Sequence, residues 1–159
     1  MNAGTAVVTA RLYRPDDRAA CLRAFDSNVP KFFDVAERAD FEDYLDSLPE
    51  RSHGRYFVAV DAAGAVQGSA GYALNERGDS ADFCWAMVRR EQHRSGYGRV
   101  LLEARLAAIR SEGGVRDVRL STSQHAAGFY QRFGFVTVRL VPGGFAPGID
   151  RCDMQLPLD

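Results

Sequence analysis

A mixed α/β fold, one sheet covered by helices, is what this chain predicts, and three observations carry the prediction. Its 159 residues are 46% hydrophobic and 26% charged with a formal net charge of −1, the balance of one soluble globular domain spanning 1–159. Short β-prone runs alternate with stretches whose apolar residues recur every three or four positions, which reads as strand, helices, three strands, helix, strand, helix, two strands. A chain of this length buries roughly two-thirds of its unfolded surface and needs neither disulfides nor a structural metal.

Taken in order, residues 7–12 form a short strand, and Arg14-Pro15-Asp16-Asp17 stops it and starts a helix, with Asp16 as N-cap and an end near Phe25. Residues 26–46 hold seven acids against two bases around Val29-Pro30-Lys31-Phe32-Phe33, and a second helix covers 40–48. Residues 56–60 and 66–73 flank Asp61-Ala62-Ala63-Gly64 and read as a hairpin. Residues 81–88 make the next strand, with Phe83, Trp85 and Met87 on one face and Cys84, Ala86 and Val88 on the other. A helix follows in which Leu102, Leu106 and Ile109 fall at i, i+4 and i+7, ended by Gly113-Gly114. Residues 115–120 are a strand, 123–133 a short helix stopped by Gly134, and 135–141 and 152–156 two final strands.

Composition excludes several function classes. The longest charge-free stretch, residues 62–75, contains three glycines and is too short and too polar to cross a bilayer. Residues 1–10 lack the basic patch and apolar block of a secretory signal, so the expectation is a cytoplasmic protein without membrane association. Cys21, Cys84 and Cys152 lie more than sixty residues apart, without the paired spacing of zinc ligation, so no metal is expected. Nineteen of the twenty basic residues are arginines, but the near-zero net charge argues against nucleic acid as a partner, and any anion site is local.

One such site stands out. The strand at 81–88 runs through Arg89-Arg90-Glu91-Gln92-His93-Arg94-Ser95-Gly96-Tyr97-Gly98 directly into a helix, a junction that aims unpaired backbone N–H groups at one point. Glycines there admit phosphate oxygens to the amides. Arg89, Arg90, Arg94 and Arg99 against Glu91 add a local charge of +3. The alternative is a tight turn with solvated arginines. With Lys31 the only lysine, a nucleoside-triphosphate P-loop is excluded, and glycines after the fourth strand do not suit a dinucleotide site.

Two motifs in register resemble the GNAT superfamily of acyl-CoA-dependent N-acyltransferases. His93-Arg94-Ser95-Gly96-Tyr97-Gly98 is similar to its loop Arg/Gln-x-x-Gly-x-Gly/Ala, with His93 at the position of Arg or Gln. The segment 123–135, with Ala126, Phe129, Tyr130, Gly134 and Phe135, is similar to Asn-x-x-Ala-x-x-Phe-Tyr-x-x-x-Gly-Phe, with Ser123 at the position of Asn. The resemblance runs from Val7 to Leu156. It implies a central, mostly antiparallel twisted sheet of about six to seven strands flanked by about four helices, and an acetyl-CoA-dependent N-acetyltransferase. It further implies that His93, Arg94, Ser95, Gly96, Tyr97, Gly98 and Arg99 hold the cofactor diphosphate, with Ser123 also at the cofactor. Backbone groups of Met87 and Val88 would pair with the pantetheine arm as an added strand, and Tyr130 would protonate the leaving sulfur. From periodicity alone, Ala126, Phe129, Tyr130 and Phe133 make an ordinary core face.

An amine must be neutral to attack a thioester, so a base or water chain is required. Asp82, Cys84, Ser121 and Asp150 are candidates, each with a structural alternative, as are His93 and His125. The acceptor, a small-molecule or peptide amine, is expected between residues 26–46 and the loop at 142–150. The acid excess of the first would suit a cationic amine and Phe32 and Phe33 an apolar stem, the alternative being a solvated helix pair. Late-strand pairing in such families leaves a homodimer open. The rival functional class is a non-catalytic acyl-CoA-binding module.

Overall fold

The structure is a computed structural model and describes residues 8–159. Seven strands among those residues form one sheet in the order β1-β2-β3-β4-β5-β7-β6. They are β1 (Thr9–Leu12), β2 (Gly54–Val60), β3 (Val66–Leu74), β4 (Ser80–Val88), β5 (Asp117–Thr122), β6 (Val136–Ala146) and β7 (Ile149–Pro157). Every neighbouring pair is antiparallel except β4 and β5, which run parallel. Four α-helices accompany them: α1 (Arg18–Ser27), α2 (Arg38–Ser47), α3 (Tyr97–Glu112) and α4 (Ala127–Gln131). The expected mixed sheet is present, and Val7, the expected start of its first strand, lies outside the described residues.

Each sheet face acquires its own core. On one, Cys21, Leu22 and Phe25 of α1 and Phe41 and Leu45 of α2 pack on strand residues that all come from β2, β3 and β4, among them Tyr56, Val58 and Met87. On the other, the stripe Leu102, Leu106 and Ile109 of α3 meets Val118, Leu120 and Met154, while Tyr97 and Leu101 cover Ala59 and Ala70. The 3.6-residue period of α3 thus becomes one buried line. On the α1/α2 side, β5, β7 and β6 lack this apolar cover.

Four local expectations are corrected. Asp16 is not the cap: a 3₁₀ turn at Pro15–Asp17 leads into α1, and the Asp17 carboxylate reaches back to accept the Arg14 N–H at 2.8 Å and two bonds from the Arg11 guanidinium at 2.8 and 2.9 Å. The alternation of β4 breaks at Trp85, whose φ of +46° is left-handed. Gly71 pairs with Cys84 but Ser69 with Met87, so β4 carries one extra residue, a bulge. In consequence Phe83 faces the α3/α4 core, Cys84, Trp85 and Met87 face the α1/α2 core, and Ala86 and Val88 return to the α3 side. The short helix is confined to α4, since residues 124–126 make a turn ahead of it. Finally, the loop expected at 142–150 is the end of β6, a turn at 147–148 with Gly148 at φ +80°, and the start of β7.

Candidate active site

β4 and β5 pair only over Ser80, Ala81 and Asp82 against Asp117, Val118 and Arg119. Past that point the strands part, and the Trp85 bulge, by increasing local twist, is the physical reason β4 turns away. A cleft of about 870 Å³ opens between them, lined by Phe83, Cys84 and Trp85 on one bank and Ser121, Thr122 and Ser123 on the other.

After β4, a 3₁₀ turn at Arg90–Gln92 and a short loop lead into α3, which begins with free backbone donors. Gly96 at its N-cap has φ +91°, and no side chain caps the helix. The first intrahelical bond is Val100 N–H to Gly96 C=O at 3.2 Å, so the N–H groups of Tyr97, Gly98 and Arg99 are the ones an α-helix leaves free. Arg94 is also left-handed, at φ +67°. The two glycines differ in role. Gly96 supplies the left-handed backbone, whereas a β-carbon on Gly98 would meet the Phe129 ring at 3.3 Å. The positive charge is smaller than the sequence suggests, because Arg89 bonds Glu91 at 2.6 Å and Arg99 bonds Glu103 at 2.8 Å. Arg90 and Arg94 have no ion pair among the described residues. An uncapped helix start with two unpaired guanidiniums beside it fits a diphosphate.

Met87 and Val88 bring the cleft edge to this helix. The Met87 carbonyl lies against Gly68 of β3, 2.6 Å from where a β-carbon would stand, so across the planar peptide the Val88 N–H points to the parted side. The Val88 carbonyl is already engaged, accepting from Asn28 Nδ2 at 2.8 Å and His93 Nε2 at 2.9 Å. A carbonyl only accepts, so His93 carries its proton on Nε2. His93 therefore folds back onto β4 rather than out towards the loop. Phe32 joins this loop to the cleft: it lines the cleft and sets its ring edge-on to His93 at 5.1 Å and His125 at 5.8 Å.

Tyr130 lines the cleft from α4. It is 7% exposed, among Phe83, Phe129 and Phe135 with ring centroids 5.1 to 6.5 Å away, and its hydroxyl has no hydrogen-bond partner among the described residues. Ser123 is buried and lines the cleft, its carbonyl starting the α4 turn by accepting from Ala126 and Ala127. Of the base candidates, Asp82 lines the cleft as an exposed residue, and partial desolvation by its surroundings pushes its carboxyl up against the opposing pull of Arg119. Burial raises the Cys84 thiol, which touches the Tyr44 hydroxyl at 3.3 Å and is no thiolate. Ser121 donates to Asp153 at 2.7 Å. Asp150 accepts the Gly143 N–H and ties the β6–β7 hairpin instead of facing the cleft.

Both expected acceptor walls reach the cleft, through Phe32, Phe33 and Glu37 on one side and Phe145 on the other. The acid excess mostly serves other ends: Asp26 and Glu42 bind Arg38, Asp46 binds Arg18, and Asp34 caps a short 3₁₀ turn. The cleft-lining residues Arg119, Arg151 and Asp153 are absent from the sequence-based candidates. Their only signal is a polar residue at every second position of β5 and β7.

No curated protein sequence matches this one. Solved structures do match in fold. A GCN5-related N-acetyltransferase from Kribbella flavida superposes with a TM-score of 0.77 at 24% identity, covering 95% of this chain and 98% of that one. YncA from Salmonella typhimurium, determined with its cofactor acetyl-CoA, gives 0.74 at 17% identity, with 96% and 94% covered. A point mutant of the spermidine N-acetyltransferase SpeG from Vibrio cholerae gives 0.74 at 18% identity, with 94% and 93% covered. Residues 52–137, which run from β2 through the parted strands and the uncapped helix to the start of β6, match the acetyltransferase (GNAT) domain, and the chain belongs to the GNAT acetyltransferase family.

Proposed function

We propose that this acetyltransferase moves the acetyl group of acetyl-CoA to a primary amine, with donor and acceptor held together in the cleft. The diphosphate would sit on the free amides of residues 96–99 beside Arg90 and Arg94, and the Val88 N–H would pair with the pantetheine arm. The acceptor nitrogen bonds to the acetyl carbon as the carbon–sulfur bond breaks. Of the two protons its ammonium form must lose, one passes to Asp82 and on to solvent. The other leaves the nitrogen for solvent as the tetrahedral intermediate collapses, while Tyr130 gives its own proton to sulfur and regains one from solvent.

The observation that carries this reading is spatial: the uncapped start of α3 packs through Tyr97 and Leu101 against Ala86 and Val88, the end of the strand whose parted edge, with Tyr130 opposite, forms the cleft. Acetyl-CoA is expected to raise the melting temperature where ATP and NAD do not; no shift at millimolar acetyl-CoA would count against it. Tyr130→Phe is expected to lower kcat by about 100-fold while leaving acetyl-CoA affinity nearly intact. Equal turnover would remove Tyr130 from the chemistry.

A second reading, a non-catalytic acyl-CoA-binding module, is favoured by one observation, that the base candidates Ser121 and Asp150 are spent on Asp153 and the Gly143 N–H. Steady release of free thiol with an amine present separates the two. A homodimer through the late strands fits either reading, since Val136, Val138 and Leu140 of the β6 edge are more than half exposed, and sedimentation equilibrium tests it.

A further inference from the structure

The side of β5 and β7 left bare by α1 and α2 is chemically selective. Val118 and Leu120 of β5 and Cys152 and Met154 of β7 turn into the α3/α4 core, which sends Arg119, Ser121, Arg151, Asp153 and Gln155 to the other face, by the two-residue period of a strand. The register sets Arg119 opposite Gln155 and Ser121 opposite Asp153. All five line the cleft, together with Asp82 and Glu37.

Their charges are unequally spent. Asp153 is satisfied by Ser121 at 2.7 Å and lies 3.1 Å from Arg151 Nε, but the Arg151 Nε–H is out of line with that carboxylate, buried and unused. Arg119 gives its Nε to Asp117 at 3.0 Å and has no recorded partner for its two terminal nitrogens among the described residues. Glu37 accepts the Asp34 N–H at 2.9 Å. Asp82 has no hydrogen bond among the described residues. Arg119 and Arg151 lie beside Asp117 and Asp153, but their terminal nitrogens carry no hydrogen bond among the described residues, and Asp82 is the carboxylate left without one. A polyamine cannot use those donors, whereas a carboxylate can take paired N–H bonds from such guanidiniums. Val138 and Phe145 add apolar wall beside them.

We propose that the acceptor is an α-amino acid with an apolar side chain, its carboxylate held by Arg119 and Arg151 and its amine directed to Asp82. This rests on reading the cleft as the acetyl-transfer site. Acetylation then turns the amine into a neutral amide, which weakens its hold on Asp82 and favours release.

The test is thiol release at saturating acetyl-CoA for valine, leucine, methionine and phenylalanine, each paired with its decarboxylated amine and its amide, alongside spermidine. The best amino acid is expected to exceed its decarboxylated partner in kcat/KM by at least about 100-fold. Arg151→Gln and Arg119→Gln, with melting temperatures checked against the parent, should each shrink that ratio by about tenfold or more. Spermidine or the decarboxylated amines turning over as well as the amino acids would overturn the inference. So would acetyl-CoA binding with no thiol release from any amino acid, or an unchanged ratio in both variants. Failure of acetyl-CoA to bind at all would instead strike the acetyl-transfer reading itself.

Discussion

Asp17 illustrates how one side chain can fix both an entry angle and a pH response. Burial alone would raise its carboxyl, but the bonds from Arg11 and the Arg14 amide hold it below the usual carboxylate range. A depressed folded value means that its stabilisation is complete above the ordinary pKa of about 3.9 and disappears as pH falls through the lower folded value. Asp17→Asn is expected to cost about 1.5–3 kcal/mol at pH 7 and much less at pH 2, a comparison urea titrations make directly. Arg105 presents the opposite case. It is 1% exposed on α3, stacked 3.8 Å from the Phe83 ring, with Nε on the Leu101 carbonyl at 3.1 Å and Nη1 unpartnered. A buried cation without an anion spends desolvation that a thioether would not. Arg105→Met is therefore expected to leave the unfolding midpoint unchanged or raise it, and a loss above about 2 kcal/mol would contradict this.

At the scale of elements, the start of α3 depends on Gly96. A β-carbon there meets nothing within 4 Å, so the difficulty for any other residue is the φ of +91° and not space. Gly96→Ala is expected to cost about 1–2 kcal/mol and to weaken acetyl-CoA binding by moving the free amides, as melting curves and calorimetric titration would report. This junction was legible in the sequence because glycine turn, arginines and helix are contiguous. The Tyr130 helix was legible for the same reason. The β4 bulge was not: strict alternation is the default for a strand, and nothing in Phe83-Cys84-Trp85-Ala86 marks the extra residue that sends Trp85 to the face of Cys84. The 142–150 segment misled differently, since Gly143, Gly144, Pro147 and Gly148 read as loop, whereas the ladder to β7 resumes at Ala146 and Ile149.

At the scale of the molecule, the connection through α3 sets β4 and β5 parallel, the one parallel pair in the sheet. Because that pair separates after three residues, a single sheet can carry both a continuous core and an opening through it. The polar floor of that opening could not be read from sequence, because β7 takes the place beside β5 ahead of β6, bringing Asp153 to Ser121 across 32 positions. Residues that lie adjacent in the chain were found; residues joined only by strand order were not.

The most direct measurement is a crystal structure with a non-transferable thioether analogue of acetyl-CoA. The account predicts the diphosphate on the amides of residues 96–99, the pantetheine arm along the Val88 N–H, and the sulfur within hydrogen-bond reach of the Tyr130 hydroxyl. An analogue bound away from the start of α3, or a sulfur with the Tyr130 ring turned from it, would contradict the account.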